Sequence, residues 1–131
     1  MAPPRTLAFL VVLFGVAGIM HFVRPGPFVN IVPLWLPHPG FVVAVSGLAE
    51  VLGAAGLIPR RTRQAAGAGL IALLVAVFPA NIKMLVDAIA TGASPAWQAA
   101  LWIRLPVQPL LIWMVWRVSL RPSGQTPKHF P

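Results

Sequence analysis

The stretch Phe78-Pro79-Ala80-Asn81-Ile82-Lys83-Met84, with Asp87 one helical turn further on, decides the fold. It lies inside the apolar run 65–90, which is long enough to cross a bilayer as one helix. Pro79 has no N–H, so the carbonyl of Val75 loses its helical partner and the ring is expected to bend the helix. A membrane tolerates freed backbone groups, and the amide and charges beside them, only where neighbouring helices or a watered cavity satisfy them. The stretch is therefore expected to face protein, not lipid.

Similar runs flank it on both sides. Upstream, Arg60-Arg61-Thr62-Arg63 reads as a basic connecting loop after Pro59, which ends a second apolar run, 41–58. In that run Ser46 and Glu50 are four apart and share a face, while Gly47, Gly53 and Gly56 offer small surfaces for close helix packing. Before it, residues 24–40 carry Pro25, Pro27, Pro33, Pro37 and Pro39 among apolar residues. This segment is too apolar for a solvated loop and too rich in proline to span. It is expected to lie at the interface or fold back over the helix ends, with Trp35 at headgroup level. The first apolar run, 7–23, resembles a signal peptide at its start but continues past the small residues to Phe22. A retained span is the reading adopted. Downstream, Ser94-Pro95 reads as an N-cap with proline at the first helical position, opening a fourth run, 95–118, which Pro106 and Pro109 are expected to bend. Trp97 and Trp102 mark one interface, Trp113 and Trp116 the other.

The expected fold is thus all-α: an integral membrane four-helix bundle with a proline-rich, outward-facing loop between helices 1 and 2. A single four-span domain covers 1–120 (spans at about 7–23, 41–58, 65–90 and 95–118), and a disordered cytoplasmic tail covers 121–131. Composition agrees. A mean hydropathy of +0.83 with 9% charged residues lies far outside the range of soluble domains. The net charge of +8 sits between apolar runs and at the tail, which points to anionic headgroups rather than nucleic acid. With no cysteine, the chain supplies no disulfide, thiol nucleophile or iron–sulfur ligand. Three His and two acidic residues leave a thin supply of ligands, and no metal site is expected. Arg5, Arg60–Arg63, Arg117, Arg121 and Lys128 fall on one side of a four-span arrangement, with Arg24 and Asp87 on the other. The positive-inside rule puts both termini in the cytoplasm.

Placed by depth at about 1.5 Å per residue, His21, Glu50, Asn81, Lys83, Asp87, Arg104 and Gln108 fall in one half of the bilayer. If they turn inward, a polar site lies beneath the proline-rich loop. A lone charge near the midplane costs roughly 2.5–3.5 kcal/mol on insertion scales. Glu50, the deepest, most needs a partner or a proton, and Arg104 is the expected partner because its guanidinium offers a fork to a carboxylate. Lys83 either pairs with Asp87 or snorkels outward. His21 is either a hydrogen-bonding group of the bundle or a proton carrier or ligand. The whole set either ties four helices together or forms a site.

In combination, several motifs resemble the DoxX-like family of small four-helix bacterial membrane proteins. They are His21-Phe22 with Pro25 and Phe28, Ile31-Val32-Pro33, Leu36-Pro37, Ser46-Gly47 with Glu50, Phe78 to Ile82 with Met84, and Arg104-Leu105-Pro106 with Gln108. The resemblance covers almost all of the chain before the tail. It implies an inner-membrane bundle related to subunits of thiosulfate:quinone oxidoreductase, to proteins tied to methylamine utilisation and oxidative-stress complexes, and more distantly to membrane chaperones. The chain departs from the thiol-handling members in having no cysteine.

Two functional expectations follow. The first is an accessory subunit of a quinone-linked redox system. It binds a small molecule or quinone headgroup through His21, Glu50, Asn81, Arg104 and Gln108, with Ser46, Lys83 and Asp87 in secondary positions. No cofactor belongs to the chain itself; flavin, haem or metal chemistry would come from a membrane or soluble redox partner. The second is a scaffold or chaperone-like partner of another membrane protein, with homo-oligomerisation open in either case. Catalysis by this chain alone is not the expectation, and transport is disfavoured by the lack of inverted repeats.

Overall fold

The computed structural model describes residues 4–122. The chain forms α1 (Pro4–Val23), a single-turn α2 (Gly26–Val29), α3 (Pro39–Leu57), α4 (Arg60–Ala90) and α5 (Pro95–Ser119). The four long helices are each long and apolar enough to cross a membrane. Their outward faces carry large exposed apolar side chains such as Val12, Val16, Leu52, Val86 and Ile103. In water such a surface would be a liability; against lipid tails it is the required face. This is an all-helical, multi-pass membrane bundle.

The helices pack in chain order. α3 lies against both α1 and α4, α5 lies against α4, and α1 touches α5 only slightly. Contact between α1 and α3 is close because glycines meet there. A Cβ on Gly47 would lie 2.6 Å from the Cβ of His21 and 2.9 Å from the carbonyl of Gly18. Gly53 similarly makes room for Leu70, and Gly56 for Ala66. An apolar cluster of Leu10, Phe14, Ala54, Leu57, Leu70, Leu74, Val115 and Val118 fills the end of the bundle where α3 turns into α4. A smaller cluster, Leu85, Ala88 and Leu101, joins α4 to α5 at the opposite end. The polar residues lie between these two layers.

Several boundaries differ from the sequence expectation. The first helix starts at Pro4 rather than residue 7, and the second span starts at Pro39 rather than 41. Arg60–Arg63 is not a loop but the opening turn of α4, so the connection is only Ile58-Pro59. The physical reason is capping. The last carbonyls of α3 have no intrahelical donors. Arg63 reaches back to supply them, from Nε to Leu57 O at 2.7 Å and from Nη2 to Ile58 O at 2.8 Å. Thr62 Oγ1 adds a bond to Gly56 O at 2.7 Å. These basic residues keep their position outside the apolar zone while remaining helical.

α4 runs unbroken through Pro79, and α5 through Pro106 and Pro109. The turn between them has the expected chemistry. Gly92, at φ 66°, takes the left-handed position after α4. Ala93 N–H donates to Ala88 O and Gly92 N–H to Ile89 O, the paired bonds of a Schellman stop. Ser94 Oγ then accepts from Trp97 N–H at 3.3 Å, with Pro95 at the first helical position. Trp97, Trp102, Trp113 and Trp116 are all exposed, as interface anchors should be. The Arg117 guanidinium lies 5.3 Å from the ring of Trp113. Of the tail expected over 121–131, only Arg121 and Pro122 lie within the described residues.

Candidate functional site

Residues 24–38 fold back over the ends of α1, α3 and α4 and roof a cavity of about 160 Å³. The roof is apolar: Phe28, Ile31, Val32, Pro33, Trp35 and Leu36. Trp35 is thus more than a headgroup anchor, since it is largely exposed yet also lines this space. The wall is polar. It brings His21 from α1, Ser46 and Glu50 from α3, Asn81 from α4 and Arg104 from α5 around one volume. Five of the sequence-derived residues therefore converge, from all four long helices.

The pairing differs from expectation. Glu50 faces His21, not Arg104: Glu50 Oε2 lies 3.5 Å from His21 Nδ1. The helices are antiparallel and side chains lean toward their own N-termini. His21 therefore leans from the roofed end of α1 toward mid-bundle, Glu50 leans from the middle of α3 toward that same end, and their depths meet. His21 Nδ1 already donates to Ala17 O at 2.7 Å. A carbonyl only accepts, so Nδ1 carries the hydrogen and the neutral ring keeps its lone pair on Nε2. The ring stacks on Phe28, with centroids 3.9 Å apart, which ties the roof to α1. Glu50 Oε2 is buried with no hydrogen-bond partner.

Arg104 forms no ion pair among the described residues. It lines the cavity from an exposed position, with Nη1 3.9 Å from Met84 Sδ. Gln108 is a further correction. It is buried and lies outside the cavity lining, although it shares a helix face with Arg104. Gln108 Nε2 donates to the carbonyl of Leu74, and Gln108 Oε1 accepts from Asn81 Nδ2. Leu74 precedes Val75, whose carbonyl Pro79 leaves without its helical donor. The two amides therefore cross-link α4 and α5 just below the cavity.

The organising stretch is two-sided rather than wholly inward. Asn81 is buried and Pro79 lines the cavity, whereas Phe78 and Ile82 are exposed on the lipid side. Lys83 and Asp87 stand outside the cavity and pair with each other at 2.5 Å. Lys83 Nζ also lies 3.3 Å from Asn30 O, a second tie between the roof and the bundle. No group of three or more His, Cys, Asp or Glu among the described residues could hold a metal ion.

A family model described as a domain of unknown function, DUF8561, matches residues 10–119. The chain belongs to this family. The DUF8561 match runs from the middle of α1 to the last residue of α5, so it takes in every residue of the cavity. No curated protein and no solved structure matches the chain. The DUF8561 description names no activity and makes no link to the DoxX-like family.

Two features of this candidate site escaped sequence reasoning. The roof residues Phe28 and Trp35 are part of the lining, which their proline-rich context could have signalled. The role of Leu74 as a backbone acceptor had no side-chain signal at all.

Proposed function

We propose that this protein is a ligand-binding accessory subunit of a membrane redox system, DoxX-like in character. On this reading it holds a small molecule or quinone headgroup in the cavity beneath the proline-rich loop. The observation that carries the reading is Glu50 Oε2, buried without a hydrogen-bond partner in a cavity also lined by His21, Ser46, Asn81 and Arg104. A polar atom left unpaired in a native interior costs stability, and a ligand is the simplest group to satisfy it. The volume suits a small ring, since an engineered cavity of about 150 Å³ takes benzene. Arg104 would meet an acceptor on the ligand, and Glu50 with His21 would hold or move a proton. Electron transfer would belong to a redox partner protein. The basic residues at the α3–α4 turn and near the ends of the chain support a bacterial inner-membrane protein with both termini cytoplasmic and the roof outside.

Native mass spectrometry on protein released gently from its own membrane tests this. The expected result is a stoichiometric small molecule or quinone that is lost on Glu50→Gln or Arg104→Ala. Protein that carries only a co-purifying polypeptide, indifferent to both changes, would replace this reading with the scaffold. The scaffold has one observation in its favour: the Asn81–Gln108–Leu74 link ties α4 to α5.

A further inference from the structure

The Leu74 carbonyl fixes the direction of two amides, and with it the chemistry the cavity offers. A backbone carbonyl can only accept, so Gln108 must turn its nitrogen to Leu74. Its oxygen then faces Asn81, which must turn its own nitrogen to Gln108. This order holds whichever way an amide is drawn, because flipping either one would set like atoms against each other. Asn81 lines the cavity, and its Oδ1 is engaged by no donor among the described residues. A hydrogen-bond acceptor is thus presented to the cavity by a relay that starts in the backbone of α4.

The other unengaged atoms of the wall are of the same kind. Glu50 Oε2 has no partner. His21 spends its Nδ1 hydrogen on Ala17 O, which leaves Nε2 of the neutral ring as an acceptor. Ser46 can serve either way. Arg104 also lines the cavity and brings donors, with Nη1 3.9 Å from Met84 Sδ; a ring oxygen can accept from it in either redox form, so it does not discriminate between them. The wall holds one carboxyl group and one guanidinium in a mostly apolar lining, which favours an occupant without net charge. The remaining lining is aromatic and aliphatic.

We infer that the cavity selects a neutral, single-ring molecule bearing hydrogen-bond donors, a dihydroxy- or amino-hydroxyarene, over the oxidised carbonyl form of the same ring. This rests on reading the cavity as a binding site and adds which redox form of a ligand it prefers. A dihydroxyarene can donate to Glu50 Oε2 and to Asn81 Oδ1, whereas a dione places two further acceptors against them.

The test compares 1,4-dihydroxybenzene with 1,4-benzoquinone, two rings of one skeleton that differ in two hydrogens. Binding to the full chain in lipid nanodiscs is measured under argon by calorimetry or ligand-observed NMR. The dihydroxy form is expected to bind about tenfold tighter, the worth of one extra satisfied hydrogen bond to a buried acceptor. Glu50→Gln, nearly isosteric, turns an acceptor of the wall into an amide and is expected to shrink that ratio mainly by weakening dihydroxybenzene binding. Equal binding, or tighter binding of benzoquinone, would overturn the inference and leave the site itself standing. A native ligand without donors that is displaced by Glu50→Gln would do the same. Absence of binding by both probes, together with ligand-free native protein, would remove the site and the inference with it.

Discussion

Glu50 and Gln108 are both polar residues inside an apolar bundle, and their surroundings set them apart. Gln108 is satisfied at both ends, by Leu74 O and Asn81 Nδ2. Glu50 keeps a buried oxygen with no partner. Removing a satisfied group strands its partners, whereas removing an unsatisfied one relieves a cost. Gln108→Leu is therefore expected to lower thermal stability in detergent by about 1–2 kcal/mol. Glu50→Met is expected to raise it by a similar amount while abolishing ligand binding. A thermal-shift assay on both variants decides the matter: if Glu50→Met destabilised as much as Gln108→Leu, Glu50 would be a structural tie. The sequence made both residues conspicuous, because polar side chains are rare in spanning runs. It could not rank them, since rank depends on the helix rotation that puts Gln108 behind Asn81 and on a backbone carbonyl no pattern reveals. The expected Glu50–Arg104 pair failed for a related reason: α3 packs on α1 and α4 rather than on α5, and depth counted along the axis does not say which helices are neighbours.

The helices themselves were largely legible, their ends less so. Ser94-Pro95 and Gly92 announced the α4–α5 turn, and the structure has that cap and stop. Arg60–Arg63 misled because charge was taken as the end of a helix, when it marks only the end of the apolar zone. The short α2 was hidden among prolines, where a single turn has no periodicity to read. The crossing of α1 and α3 at Gly18 and Gly47 is the tightest constraint on the site, because it sets His21 beside Glu50. Gly47→Ala would place a Cβ 2.6 Å from that of His21, so the helices must part. The expected cost is about 1–3 kcal/mol, with ligand binding lost, read by thermal shift and titration on the same sample. Lys83→Ala tests the roof. It removes the bond to Asn30 O but leaves the cavity wall intact. Amide hydrogen exchange is expected to rise within 26–38 and to stay unchanged in α3; equal protection would mean that the Phe28–His21 stack holds the roof alone.

For the molecule as a whole, the lack of native cysteine makes topology directly measurable. Leu34→Cys, at a side chain almost fully exposed in the roof, is expected to react with an impermeant maleimide in intact cells. Arg61→Cys, at the α3–α4 turn, is expected to react only after permeabilisation; the reverse pattern would invert the proposed orientation. The packing order carries a different consequence. With α1 and α5 scarcely touching, the bundle is two hairpins, 4–57 and 60–119, joined by Ile58-Pro59. His21, Ser46 and Glu50 belong to the first hairpin; Asn81, Arg104 and Gln108 belong to the second. Neither hairpin holds a usable pocket until the other has been synthesised and inserted. On the proposed reading, a bound molecule would act as a clasp between the two halves, favouring their association by mass action. If the cavity is the proposed site, cells short of that molecule would accumulate less of the mature protein, and its abundance would track the supply.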